Sequence, residues 1–193
     1  MRVVRRDRGV RVYTRAPERE VLAPDARLRT LVLAVANVLS PVFERTLRAN
    51  VVRFRHLGDP RKAIDALVRD GALVRMDSFV ATSTTPRELD DDDAVRFLAP
   101  FDPIVWDRRR FEHLFGWAYR FEAYTPREKR ERGYYALPIL FRDRIVGWAN
   151  VSDDDVSLGW VTRPREKSFD RGLDEEIVRI RTFSKRGKVV ANT

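Results

Sequence analysis

Asp102, Asp107, Glu112 and Glu122 are four of the seven carboxylates in one compositionally unusual stretch between Pro100 and Val146. A carboxylate can activate water or stabilise positive charge that develops on a substrate. Each has a structural use as well. Asp107 stands directly ahead of Arg108-Arg109-Arg110, where an aspartate caps a helix. Glu122 reads as the partner of Arg120 and Arg144. The structural uses are the simpler reading, and no catalytic residue is assigned. His56 and His113 are far apart and the chain has no cysteine, so a metal site of their making is not expected. The acidic run Asp90–Asp93 reads as a solvated loop or helix start, because consecutive acids point in different directions and rarely converge on one ion. No cofactor is expected.

The other chemistry-bearing residues are cationic and aromatic. The net charge is +9. That sign favours a polyanion, of which nucleic acid is the commonest. An arginine-rich composition inherited from a GC-rich genome is the plainer explanation. The distribution is more informative than the total. Residues 1–57 hold thirteen arginines against five carboxylates, whereas residues 58–93 are net acidic. Arg2, Arg5, Arg6, Arg8, Arg11 and Arg15 crowd one short segment, suited to phosphates or the minor groove, or to a charged edge that resists aggregation. Arg61 and Lys62 are DNA-contact candidates further on, but Asp65 and Asp70 nearly neutralise their face. Lys129, Arg130, Arg132 and Tyr134 form a third candidate surface. Trp106, Trp117, Trp148, Trp160 and the tyrosines could stack on an unpaired base. Aromatic residues at strand spacing are more often core.

The elements that must position these residues can be read in order. Met1–Arg6 and Val10–Thr14 are β-rich runs around the turn Asp7-Arg8-Gly9. A hairpin this short is not stable alone, and it reads as the wing of a preceding unit. Pro24–Leu39 carries Leu28, Leu31, Val32, Val35 and Leu39 at helical spacing. Ser40-Pro41 is expected to start a second helix bearing Phe43 and Leu47, and Asp59-Pro60 a third that ends at Gly71. Leu73–Met76 and Phe79–Thr82 then form a hairpin. Three helices and a hairpin make the winged-helix plan. Beyond the linker, Val95–Leu98, Tyr119–Tyr124, Tyr134–Phe141, Ile145–Val151 and Val156–Thr162 read as strands. Arg108–Phe115 and Leu173–Phe183 read as helices, the second with Ile177, Ile180 and Phe183 inward, and Ser184–Thr193 as a loose basic tail.

The stretch Pro100-Phe101-Asp102-Pro103-Ile104-Val105-Trp106-Asp107-Arg108 resembles a signature of the YcaQ/AlkZ-like DNA glycosylases. So do Leu114-Phe115-Gly116-Trp117-Ala118-Tyr119-Arg120-Phe121-Glu122-Ala123-Tyr124, the run from Lys129-Arg130 through Gly133-Tyr134-Tyr135-Ala136-Leu137-Pro138, and Asp143-Arg144-Ile145-Val146-Gly147. The motif residues carried over are Asp102, Trp106, Asp107, Arg108, Tyr119, Glu122, Gly133 and Tyr135. The resemblance implies tandem winged-helix units followed by a β-barrel, and excision of alkylated or crosslinked bases by hydrolysis of the N-glycosidic bond. It places the family's catalysis on a Gln-x-Gln or Gln-x-Asp motif in an N-terminal unit. This sequence contains no glutamine. Where the family usually carries Arg-x-Asp after Gly147, it has Trp148-Ala149-Asn150.

The expectation is therefore an α+β chain, a winged helix-turn-helix unit followed by a small antiparallel β-barrel. Residues 1–22 would be a wing remnant, 23–85 a winged-helix domain, 86–94 an acidic linker, 95–183 a barrel-like domain and 184–193 a basic tail. The chain would bind double-stranded DNA, be non-catalytic alone, and depend on a missing N-terminal catalytic half. The alternative is a free-standing winged-helix regulator. Without an 18-residue apolar run or a signal-peptide core, no membrane partner is expected, and the location would be the cytoplasm, on the nucleoid when DNA is bound.

Overall fold

In a computed structural model the chain is a mixed α+β protein. It describes residues 2–7, 10–15, 22–84, 93–152 and 155–191, without the side chains of Arg2 and of 184–191. Two compact units are present: Glu20–Asp90, and Met1–Arg19 together with Asp91–Thr193.

The unit Glu20–Asp90 contains α1 (Pro24–Leu39), β3 (Val42–Phe43), α2 (Glu44–Val51), a 3-10 turn (Val52–Leu57), α3 (Pro60–Arg69), β4 (Leu73–Met76) and β5 (Phe79–Thr82). Helix α1 buries Leu28, Val32, Ala36 and Leu39, one stripe at intervals of three and four. Leu47, Val51, Ile64 and Val80 meet that stripe in one fully buried core. Asp59 caps α3 by accepting the Arg61 N–H at 2.8 Å, with Pro60 in the first turn. Strands β4 and β5 pair around Asp77, whose φ of +51° is a conformation that aspartate tolerates in a tight turn.

Ser40-Pro41 does not start the second helix. Val42 and Phe43 first pair with Val80 and Phe79, completing a sheet of order β3-β5-β4, and α2 begins at Glu44 without a side-chain cap. Burial decides this. Val42 is fully buried, and the Phe43 ring stacks on Phe79 at 4.2 Å, a contact that helix at Val42 and Phe43 would forgo.

The second unit begins with β1 (Arg2–Asp7) and β2 (Val10–Thr14), an antiparallel hairpin whose turn lies outside the described residues. It continues with β6 (Val95–Phe97), α4 (Arg108–Phe115), a 3-10 turn (Arg127–Lys129), β7 (Leu137–Phe141), β8 (Arg144–Val151), β9 (Val156–Trp160) and α5 (Lys167–Ala191). The four strands β6-β7-β8-β9 form an open antiparallel sheet. The barrel expectation is corrected here: no described sheet is closed. Tyr119–Tyr124, expected as a strand, is irregular; the Tyr119 hydroxyl and the Glu122 carboxylate carry the connections described below. Close approach within the sheet fixes Gly159, where a Cβ would lie 2.2 Å from the Trp148 ring.

Helix α5 is longer than expected at both ends, extending to Ala191, into the segment expected as a tail. It covers one face of the sheet with Phe169 and Leu173, and Ile177 and Ile180 pack on the same core. Phe183, one turn further, is 77% exposed and does not point inward. Glu176 is buried and accepts the Phe97 N–H at 2.8 Å, tying β6 to the helix, while Arg179 donates to the same carboxylate at 2.6 Å.

Candidate nucleic-acid interface

On the N-terminal hairpin, Arg5, Arg6 and Arg11 are exposed, as is Arg15 just beyond it. Arg2 is described through its backbone only, and Arg8 lies outside the described residues. The register sets Arg6 directly opposite Arg11. Like charges directly opposed across a ladder destabilise it. Only Val12 among the described hairpin side chains is even half-buried, so its surface consists largely of cations and exposed apolar residues.

On α3, Arg61 and Lys62 are exposed in the first turn. The acids of this helix are engaged. Asp65 accepts from Arg75 at 2.5 Å, and Arg75 also reaches Glu44 at 3.0 Å. The hydrogen bond from Arg75 holds both carboxyls below their ordinary range. Asp70 pairs with Arg29 of α1. The near-neutral face read from sequence is thus a set of ion pairs with cations at one end.

The motif between Pro100 and Val146 builds a braced loop system. Asp102 accepts the Ile104 N–H through its carboxylate at 2.8 Å, and the Val105 and Trp106 N–H through its carbonyl at 2.9 Å. Asp107 caps α4 by accepting the Arg110 N–H at 3.2 Å. Arg108 donates to the carbonyls of Val105 and Pro100 at 2.5 and 3.1 Å, and its guanidinium lies 4.4 Å from the centre of the Tyr119 ring. Burial pushes the Tyr119 phenol up to about 12, and its hydroxyl donates to the Ala136 carbonyl at 2.7 Å.

Glu122 is buried among backbone donors. It accepts the N–H groups of Glu131, Arg132 and Gly133 at 3.2, 2.9 and 3.2 Å. Burial opposes its charge, but these three bonds outweigh it and hold the carboxyl below its ordinary range. The expected pairing with Arg120 and Arg144 is replaced by this arrangement, because the turn at 131–133 aims three donors at one carboxylate. Gly133 permits the turn. Its φ is +117°, and a Cβ there would sit 2.5 Å from Asn150 Oδ1. Asn150 in turn donates to the Arg132 carbonyl at 2.7 Å.

The same loop carries the third candidate surface. Lys129 is exposed, Tyr134 is 59% exposed, and the Arg130 guanidinium lies 5.0 Å from the Tyr134 ring centre. Arg132 is turned away from that group. Its guanidinium lies 4.9 Å from the Trp117 ring and 5.8 Å from Trp148, and the two indoles stack at 6.1 Å. Trp160 packs against Phe169 at 5.9 Å, as a core residue would, whereas Trp106 is 37% exposed. Tyr135, also a motif residue, is 42% exposed. Sequence reasoning missed the positioning parts played by Trp148 and Asn150. Their one signal was that both interrupt the pattern after Gly147.

The profile of the family described as DNA glycosylase AlkZ-like matches residues 1–183. The chain belongs to the AlkZ-like DNA glycosylase family. No solved structure matched it. Membership gives the chain a role related to DNA repair and makes DNA its partner. Within this AlkZ-like chain three motif carboxylates are in use: Asp102 in a turn, Asp107 as a cap, Glu122 in a backbone cradle. Among the described residues no cluster of three or more histidines and carboxylates could hold a metal ion, and no helix is long and apolar enough to cross a membrane.

Proposed function

We propose that this chain supplies a DNA-holding surface of an AlkZ-like glycosylase and releases no base by itself. The observation that carries the reading is the engagement of Glu122 by three backbone N–H groups. The one buried acid of the motif accepts three backbone bonds from a turn, and its depressed pKa keeps it from donating a proton near neutrality. Base excision needs polar groups that direct water at the sugar carbon. The glutamines to which the family resemblance gives that task have no counterpart in this sequence and would come from another segment or chain.

The unit Glu20–Asp90 is read as a winged helix, α3 standing in the recognition position and β4-β5 as its wing. Three observations support DNA holding: the family, the charge of +9, and a hairpin on which opposed arginines would be relieved by phosphates. A free-standing regulator is the weaker reading, because the acids of α3 and their paired arginines leave little charge to enter a groove. The lesions are those the resemblance implies, alkylated or crosslinked bases.

The test is base release from duplexes carrying N7- or N3-alkylpurines. The purified chain is expected to release none under conditions where it binds the same duplex. Release that disappears on substituting Asp102, Asp107 or Glu122 would show a second catalytic arrangement and overturn the proposal.

A further inference from the structure

A group of rings on the motif loop is anchored to the core through Phe121 and otherwise faces outward. Phe121 is half-buried and touches three other rings: Phe101 at 5.6 Å, Tyr124 at 6.2 Å and Tyr135 at 5.3 Å, all in edge contacts. Phe101 is 72% exposed, Tyr124 91% and Tyr135 42%. Phe101 and Tyr124 keep most of their surface for another partner, and Tyr135 less than half. Grouping large apolar rings in water without a partner is unfavourable, and such patches mark interaction sites.

The loop beneath them is braced. Besides the Glu122 cradle, the Thr125 N–H donates to the Glu122 carbonyl at 3.0 Å and Arg130 Nε to the Thr125 carbonyl at 2.8 Å. A surface ordered in advance loses less entropy on binding. Its charge is net positive. Arg120, Arg127 and Lys129 are exposed around the rings and Arg130 half-buried, against the exposed acids Glu128 and Glu131. Glu131 lies 3.7 Å from Arg132.

We propose that Phe101, Phe121, Tyr124 and Tyr135 form a stacking surface for unpaired bases of DNA, with the neighbouring cations on the adjoining phosphates. Rings interleaved with cations suit a single strand, whose base faces are exposed and whose backbone is anionic. The occupant is the unpaired stretch that a crosslinked or distorted duplex would present. The inference rests on the DNA-holding reading, which it makes specific.

The test is fluorescence anisotropy with two labelled probes, a fully paired duplex and the same duplex with a central run of unpaired thymines. The chain should bind the second about tenfold more tightly, an effect within the range for stacking one base. A Phe101→Ala/Tyr124→Ala variant should lose that preference and keep its affinity for the paired duplex. Both residues are exposed, so the fold should tolerate the change, and Tyr124→Trp should retain the preference. Equal binding of both probes by the unmodified chain, or a preference that survives the double variant, would overturn the stacking surface alone. Binding to neither probe would overturn it together with the DNA-holding reading. Self-association that the double variant abolishes would show the rings to be covered by a second copy, and would also overturn it.

Discussion

Glu122 shows what one residue can hold together. Replacing it with alanine leaves the backbone donors of Glu131, Arg132 and Gly133 without their acceptor. Leaving a buried donor unsatisfied costs about 1–3 kcal/mol; these donors are part-buried, and urea denaturation of Glu122→Ala should show a loss of about that size. The pH dependence has a definite sign. The folded pKa of Glu122 is depressed, so its contribution is present above the unfolded value and lost as pH falls through the folded one. The acid limb of the stability profile should therefore be shallower in Glu122→Ala than in the unmodified chain. An equally steep limb would mean that the cradle contributes no linkage. The caps at Asp59 and Asp107 were legible in the sequence, because a cap and its donor are two or three residues apart. The partners of Glu122 lie nine to eleven residues away across an irregular loop, where no periodicity connects them.

Regular elements were readable where one face is buried. Helices α1, α3 and α4 and the pairs β4-β5 and β7-β8 carry their burial pattern in the chain itself. The two-residue β3 did not, because Ser40-Pro41 is an equally good helix start and only the long-range pairing with Val80 decides against it. The run Tyr119–Tyr124 alternates like a strand, yet its tyrosine and glutamate are tied to Ala136 and to the 131–133 turn. Helix α3 depends on its core stripe. Ile64→Ala should cost about 2–5 kcal/mol, measured by chemical denaturation, because Ile64 is fully buried between helices and sheet. The hairpin and α3 make contrasting claims on DNA. Reversing the charge of Arg5, Arg6 and Arg8 together should weaken duplex binding more than reversing Arg61, Lys62 and Arg69, because α3 already carries paired acids. Greater loss from the helix variant, read by anisotropy, would place the principal contact on α3.

At the scale of the whole molecule, composition and motif strings pointed to an α+β chain of a DNA glycosylase family, and both hold. The closed barrel does not. Four strands, of which β6 has only three residues, leave the sheet open, and closure cannot be read from strand count alone. The division of charge, arginine-rich at the N-terminus and acidic between residues 58 and 93, was visible at once. Its consequence is physical: binding driven by cations on phosphates releases counterions and so weakens steeply with salt. The most direct measurement is the affinity of the purified chain for a labelled, undamaged duplex at a low and at a near-physiological salt concentration. Affinity is expected on the order of micromolar or weaker near physiological salt, tightening strongly at low salt and differing little between sequences. Absence of binding at low salt, or an affinity indifferent to salt, would contradict it.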